Sequence, residues 1–257
     1  MLVLRQLDYW ATVYRRVWRG TVVTSFVLPM MYLAGIGIGL GRYVDDAGST
    51  AALGGLSYLD YVGPGLLATT AMQTAVGEST YPVLAFFLWQ KVYDAMIATP
   101  LRVRDVLIGH LSYVVVRLTT TCAVLLVVLS IFGVVTSVAG GLGAVAVAVL
   151  VGLAFATPLF ALSARLKNDN GFALVYRLGL IPMFLFSGAF FPTSQLPAAI
   201  AWLAWLTPVW HGVELCRALM TGQATLVPAL GNIGYLLLWV VAGWWLAEQA
   251  FRRRLER

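Results

Sequence analysis

The sequence predicts an all-α polytopic membrane protein, and three observations carry that prediction. Hydrophobic residues make up 60% of the 257 and charged residues only 11%, with a mean hydropathy of +0.85. A soluble domain carries about 25% charged residues, so this chain lacks the polar surface to cover a globule in water. Long windows run almost without charge, at the ~20 residues a helix needs to cross a ~30 Å hydrocarbon core. The basic residues gather between alternate windows, as the positive-inside rule requires of a multi-span protein. A water-soluble enzyme is excluded, and so is a disordered chain, which needs low hydrophobicity.

Six spans follow in order. The first is 20–41, Gly20 to Gly41, with no charge inside. The second, 61–88, is interrupted by Glu78 and Pro82. The third covers 106–135, with Asp105 placed to cap it. The fourth, 140–164, is rich in Val, Ala and Gly; the fifth runs 172–191 and the sixth 228–251. Between the last two, Pro192, Pro197 and Pro208 cut an apolar stretch into fragments too short to span. Such fragments predict a re-entrant segment over about 190–222, preferred to a seventh, broken span. Trp202, Trp205 and Trp210 fit it, since indole favours the headgroup level.

Ahead of the first span, Val3, Leu7, Trp10, Tyr14 and Val17 recur at helical spacing. Arg5, Asp8, Thr12, Arg15, Arg16 and Arg19 fill the other face. Residues 1–19 therefore read as an amphipathic in-plane helix at the cytoplasmic interface, and 20–257 as the six-span domain. The apolar run that follows is span-length rather than the ~7–15 residues of a cleavable signal. Thirteen Lys or Arg fall on the side of both termini: Arg5, Arg15, Arg16, Arg19, Lys91, Arg102, Arg104, Arg165, Lys167, Arg252, Arg253, Arg254 and Arg257. Arg42 and Arg217 fall on the other, which places both termini in the cytoplasm. The +6 net charge is thus explained by orientation, with no nucleic-acid partner needed.

Little in the chain suggests chemistry of its own. Cys122 and Cys216 are too few for a disulfide framework or a zinc site. Neither Lys91 nor Lys167 follows a glycine, so the phosphate-cradling GxxxxGK[ST] loop is absent and no catalytic residue is expected. Glycines 35, 37, 39 and 41 end a span, where small residues predict close helix packing. Ionisable residues inside spans are costly and are the first functional candidates. Arg117 falls near the midplane of the third span, with His110 seven residues earlier on nearly the same face. They read either as a polar pathway lining or, preferably, as part of a buried structural pair, with Glu78 the nearest partner for Arg117. His211, Glu214 and Arg217 read as interfacial anchors, Glu214 and Arg217 pairing at i, i+3.

The segment WQKVYDAMIATPLRVRD (89–105) is the most informative loop. Val92, Met96 and Ile97 recur at helical spacing until Thr99-Pro100 stops the helix. A short amphipathic helix between two spans packs on the membrane surface or on a partner protein.

At this point the chain resembles the type-2 permeases of ATP-binding-cassette (ABC) exporters. Within them it is most similar to the nodulation-type lipo-oligosaccharide exporter permeases, grouped with daunorubicin-resistance-type drug permeases. The resemblance rests on YLDYVGPGLLATTAMQTAVGES (58–79), ATPLRVRDVLIGHL (98–111) and FLFSGAFFPTSQLPAAIAWLAWLTPVWHGVELCRALMTG (184–222), and extends over nearly the whole chain. It implies a bacterial inner-membrane permease subunit working with two separate ATPase subunits, which bind the ATP and Mg, and with a second permease, identical or homologous. It implies export of a lipid-linked, glycolipid or amphiphilic drug-like substrate. It maps the ATPase-coupling helix onto 89–104, with Tyr93, Asp94, Met96, Ile97, Thr99, Pro100, Leu101, Arg102 and Arg104 as contact residues. It maps an extracellular gate onto the broken segment, with Phe190, Phe191, Trp202, Trp205 and Trp210. A secondary transporter, which needs ionisable relays at midplane and usually repeat symmetry, and a non-transporting membrane anchor or assembly protein are the alternatives.

Overall fold

Where lipid replaces water, every backbone N–H and C=O must be paired inside the protein, and an apolar chain meets that demand with helices. The computed structural model describes residues 2–40 and 53–256, and the regular structure among them is helical. Ten helices are used here: α1 (Leu2–Tyr32), α2 (Tyr58–Ser79), α3 (Tyr81–Leu88), α4 (Val92–Ile97), α5 (Val103–Ile131), α6 (Val138–Arg165), α7 (Asn170–Phe186), α8 (Ala198–Trp205), α9 (Pro208–Met220) and α10 (Leu226–Leu255). A π-helical stretch Leu33–Leu40 continues α1, and another, Val175–Leu180, lies within α7. Among the described residues α5, α6 and α10 are each long and apolar enough to cross a membrane alone. Gly41 and Arg42, at the end of the expected first span, lie outside the described residues, as does Arg257.

The sequence boundary at residue 19 is not a structural one. Helix α1 runs through it without a break, because no proline or pair of glycines interrupts the chain there. Near its start, Trp10 is buried against α5 rather than turned to lipid. Gly35 and Gly39 have nothing within 4 Å of where a Cβ would stand, so among the described residues no helix makes the close contact expected at them.

Helix ends are set locally. Ser57 caps α2, its hydroxyl oxygen accepting from Asp60 N–H at 3.2 Å. The second span breaks between α2 and α3 at Thr80, two residues before Pro82, and Ser163 of α6 donates to the Ser79 carbonyl at the break (2.7 Å). Asp105 sits in the first turn of α5, where its carboxylate accepts from Arg102 N–H (3.0 Å), so Arg102 rather than Asp105 holds the cap position. That helix stops at Ile131, short of the expected 135, because the chain turns at Gly133 with φ +78°. Helix α7 likewise stops at Phe186, and Gly188 turns the chain at φ +77° before Phe190 and Phe191.

Helix α6 is the hub, with α2, α5, α9 and α10 packed around it. Gly243 lets α10 lie close on α6, since a Cβ there would overlap Thr157 Oγ1 and stand 2.6 Å from Pro158 Cδ. The three prolines of the broken segment mark its joints: Pro192 precedes a 3-10 turn (Thr193–Gln195), Pro197 precedes α8, and Pro208 opens α9. Helix α9 is about 20 Å long at ~1.5 Å per residue. Its end lies at the mouth of the bundle, where Thr136 donates to the Met220 carbonyl (2.5 Å). Its start reaches inward to Phe155 and Pro158 of α6. The chain turns between α8 and α9, and α9 runs from inside the bundle out to its mouth.

Adding one methyl at Gly243 should overpack the α6–α10 contact and cost about 1–3 kcal/mol. Gly231, with open space at its Cβ position, should gain slightly from alanine's better helix propensity. Thermal unfolding in neutral detergent checks this: Gly243→Ala lowers the apparent Tm while Gly231→Ala does not.

Candidate functional site

The loop between the second and third spans is built as a short, firmly held lever. Lys91 takes a left-handed conformation (φ +49°), which folds the chain sharply out of α3 and into α4. Thr99 Oγ1 donates to Met96 O (2.6 Å), Pro100 ends the turn, and α5 begins three residues later.

Tyr93 anchors the lever. It is wholly buried, and its hydroxyl lies 2.5 Å from His110 Nδ1 on α5. Burial pushes the Tyr93 phenol well above its ordinary range, so the hydroxyl keeps its proton and the contact is a hydrogen bond of a neutral phenol with the imidazole. Trp10 of α1 stacks on the His110 ring at 4.2 Å, and Phe160 of α6 meets its edge at 4.9 Å. Phe87 of α3 and Phe251 of α10 close the other side of Tyr93, at 4.6 and 5.3 Å. Six elements thus meet at one aromatic junction. Aromatic pairs of this geometry contribute about 0.5–1.5 kcal/mol each beyond area burial.

The residues expected on the contact surface divide into two sets. Asp94, Thr99, Pro100, Arg102 and Arg104 are exposed, together with Ala95 and Ala98. Met96, Ile97 and Leu101 are half-buried and pack onto the bundle core. Tyr93 is a correction: it points inward, where it can touch no partner. Sequence reasoning missed Trp10, Phe87, Phe160 and Phe251, because an aromatic residue in an apolar helix looks the same whether it faces lipid or a neighbouring ring. It also missed Trp89, 65% exposed at the end of α3 beside the lever.

Arg117 and Glu78 come together across α5 and α2. Arg117 Nε donates to Glu78 Oε1 at 2.8 Å, and Nη2 lies 2.7 Å from the same oxygen. Each side chain is about one-sixth exposed (17%). His110 takes no part in this pair, since its ring belongs to the aromatic junction.

At the opposite end, Arg217 forms a knot that the sequence did not reveal. It pairs with Glu214 as its spacing implies (2.8 Å), but also donates to the carbonyls of Gly188 (2.7 Å) and Tyr61 (3.3 Å). Its guanidinium lies 3.8 Å over the Tyr61 ring. Phe190 is half-buried, with its ring against Tyr32 and Phe184, and Phe191 is also half-buried. Trp202 and Trp205 are half-exposed at 51%, and Trp210 packs edge-on to Trp205. The hairpin turn is fastened to α10: His211 pairs with Asn232 (2.7 Å) and with the Trp205 carbonyl (3.0 Å), and Tyr235 donates to the Leu206 carbonyl (2.6 Å). His211, expected as an interfacial anchor, is therefore a fastening within the bundle. Among the described residues no group of His, Cys, Asp and Glu is placed to hold a metal.

Comparison with known proteins agrees with this architecture. The family model for ABC-2 type transporters matches residues 9–221. The chain is 31% identical over 255 residues to nodulation protein J of Rhizobium leguminosarum bv. trifolii, covering 96% of this chain and 94% of that one. It is 29% identical over 253 residues to nodulation protein J of Rhizobium meliloti strain 1021, with the same coverage. The protein belongs to the ABC-2 type transporter family: it is a membrane protein and an exporter permease, a subunit class that is not itself catalytic and works with an ABC ATPase.

Removing one member of a buried ion pair typically costs about 3–5 kcal/mol, because the other charge is left uncompensated. Arg117→Ala should reduce folded yield in the membrane, and the combined Arg117→Met and Glu78→Gln variant should recover part of it. Yields of the two singles and the double at matched expression test this, and strict additivity would show that the pair contributes nothing.

Proposed function

We propose that this permease moves a lipid-linked, glycolipid or amphiphilic drug-like substrate outward across a bacterial plasma membrane, driven by two ATPase subunits seated on α4 and its flanks. The observation that carries this reading is the aromatic junction around Tyr93. A transporter whose ATP is hydrolysed on another chain must receive a displacement through a protein contact. That contact must be compact and rigidly joined to the helices that move. Helix α4 offers a short exposed face of Asp94, Ala95, Ala98 and Thr99, while Tyr93 on its other face is fixed among α1, α3, α5, α6 and α10. A push on the exposed face is delivered to all five.

The end bearing this lever also carries Lys91, Arg102, Arg104, Arg165, Lys167 and Arg252–254. We take it as the cytoplasmic end, with both termini inside. The opposite end then holds the re-entrant hairpin, whose Phe190, Phe191, Trp202, Trp205 and Trp210 form the outer gate. A second permease, identical or homologous, completes the pathway. The substrate class rests on the likeness to lipo-oligosaccharide exporter permeases and suits the apolar crevice that Met72, Phe155, Leu180, Met183 and Trp239 line between the helices.

The experiment targets the exposed face and the anchor separately. The purified chain alone should show no ATP turnover above background. Ala95→Glu with Ala98→Glu should abolish capture of the ATPase and lower transport by at least about tenfold, as changes at the centre of an interface do. Tyr93→Phe keeps the ring but leaves His110 Nδ1 without its hydrogen-bond partner, a loss of about 1–3 kcal/mol. It should retain ATPase capture yet transport several-fold less per ATP hydrolysed. Wild-type transport and capture from the double glutamate variant would mean that α4 lies on lipid and couples nothing.

A further inference from the structure

Helices α6 and α10 end side by side, and between their last turns lies a pocket lined by Arg165, Leu166, Lys167, Ala250, Arg253 and Arg254. It contains four cations and no lining carboxylate. Two helix C-termini favour some positive charge here, but Arg254 already meets that need. Its Nη1 donates to the carbonyls of Ser163, Ala164 and Leu166 at 3.3, 2.8 and 2.9 Å, and its guanidinium lies 4.4 Å over the Phe87 ring. Arg165, Lys167 and Arg253 are exposed and have no carboxylate partner among the described residues. Two exposed acids are close in sequence, Asp169 two residues after Lys167 and Glu256 three after Arg253, but neither lines the pocket or forms an ion pair among the described residues. Glu248 is held by Arg252 (2.8 Å) and Arg104 (3.8 Å), and Asp94 reaches Arg254 only as a field that favours its charge. Three exposed cations lining one pocket raise the local positive potential, so the pocket favours an anion.

The surroundings identify the anion. Trp89, exposed two residues beyond Phe87, marks the level at which indoles meet headgroups. Along α10, the exposed Leu238, Val241 and Trp245 lead toward the same end, offering an apolar track beside the charged pocket. A ligand with a phosphate at one end and hydrocarbon at the other fits both features. We propose that the pocket between the ends of α6 and α10 is a binding site for the phosphate headgroup of an anionic membrane lipid. Arg165, Lys167 and Arg253 take the phosphate oxygens in charge-assisted hydrogen bonds, and Arg254 forms the fixed floor. The inference rests on membrane embedding alone and stands whether or not the chain exports the substrate class proposed above.

The test uses the full chain in neutral detergent, titrated with dioctanoyl phosphatidylglycerol or dioctanoyl phosphatidylcholine and read by native mass spectrometry. Wild type should retain the anionic lipid at about tenfold lower concentration than the zwitterionic one, given the worth of each cation near a headgroup. Arg165→Gln, Lys167→Gln and Arg253→Gln together should remove that preference, while Arg102→Gln with Arg104→Gln, at the same end but outside the pocket, should keep it. Arg254 is left in place because it caps α6. Equal retention of the two lipids by wild type would overturn the proposal, and so would a preference that survives the triple change. Displacement of the lipid by an equal concentration of inorganic phosphate would overturn it in favour of a free-anion site. A triple variant that loses ATPase capture but binds the lipid as before would assign the pocket to the protein partner.

Discussion

A backbone carbonyl that leaves a helix inside an apolar chain has no water to turn to, and the architecture here follows from how each one is met. Ser163 takes the Ser79 carbonyl where the second span breaks. Arg254 takes three carbonyls where α6 ends. Arg217 takes Gly188 and Tyr61 where α7 gives way to the hairpin, and Tyr235 and His211 take Leu206 and Trp205 at its turn. Leaving such a group unpaired in hydrocarbon costs several kcal/mol. Ser163, Arg254, Arg217, Tyr235 and His211 are therefore not scattered. Each stands opposite a break, and each ties the broken element to a different helix.

This has a mechanical consequence. A helix broken for function is ordinarily a soft place, but here the breaks are cross-linked, so displacement is steered rather than absorbed. At one end the aromatic junction binds α4 to five other elements. At the other, Arg217 binds the start of α2, the Gly188 turn and α9. Helix α6 links the two ends, carrying Phe160 and Ser163 near the first and receiving α9 near the second. At Gly243 the backbone of α10 packs directly on Thr157 and Pro158 of α6.

Much of this was legible in the residues. Charge-free windows gave the apolar helices, and Pro82, Pro192, Pro197 and Pro208 gave the joints, because a missing N–H acts locally whatever the fold. Two charges in apolar surroundings, Glu78 and Arg117, had few partners to choose from. What stayed hidden was long-range. Arg217 meets Tyr61 across 156 positions and Ser163 meets Ser79 across 84, and no periodicity reports such distances. Tyr93 was misread for a related reason: an amphipathic pattern shows that a helix has two faces, but not which is turned to the bundle. The early ends of α5 and α7 depend on positive φ at Gly133 and Gly188, and in a chain with 25 glycines the two were not distinguishable from the rest.

Packing is not shared evenly among the helices. Helix α7 has no buried side chain from Val175 through Phe186, and Leu174, Leu178, Ile181 and Leu185 face outward. It also contains the π-helical stretch, whose hydrogen-bond pattern is poorer than that of an α-helix and often marks functional sites. Among the described residues its polar tie to the bundle wall is Tyr176, whose hydroxyl lies 3.3 Å from Thr80 Oγ1, at the joint between α2 and α3. Displacing α7 therefore breaks fewer buried contacts than displacing any of the helices around α6, and regions with few buried contacts open at the lowest free energy. That tie sits at the joint that opens α3, the helix whose far end leads through Lys91 into α4.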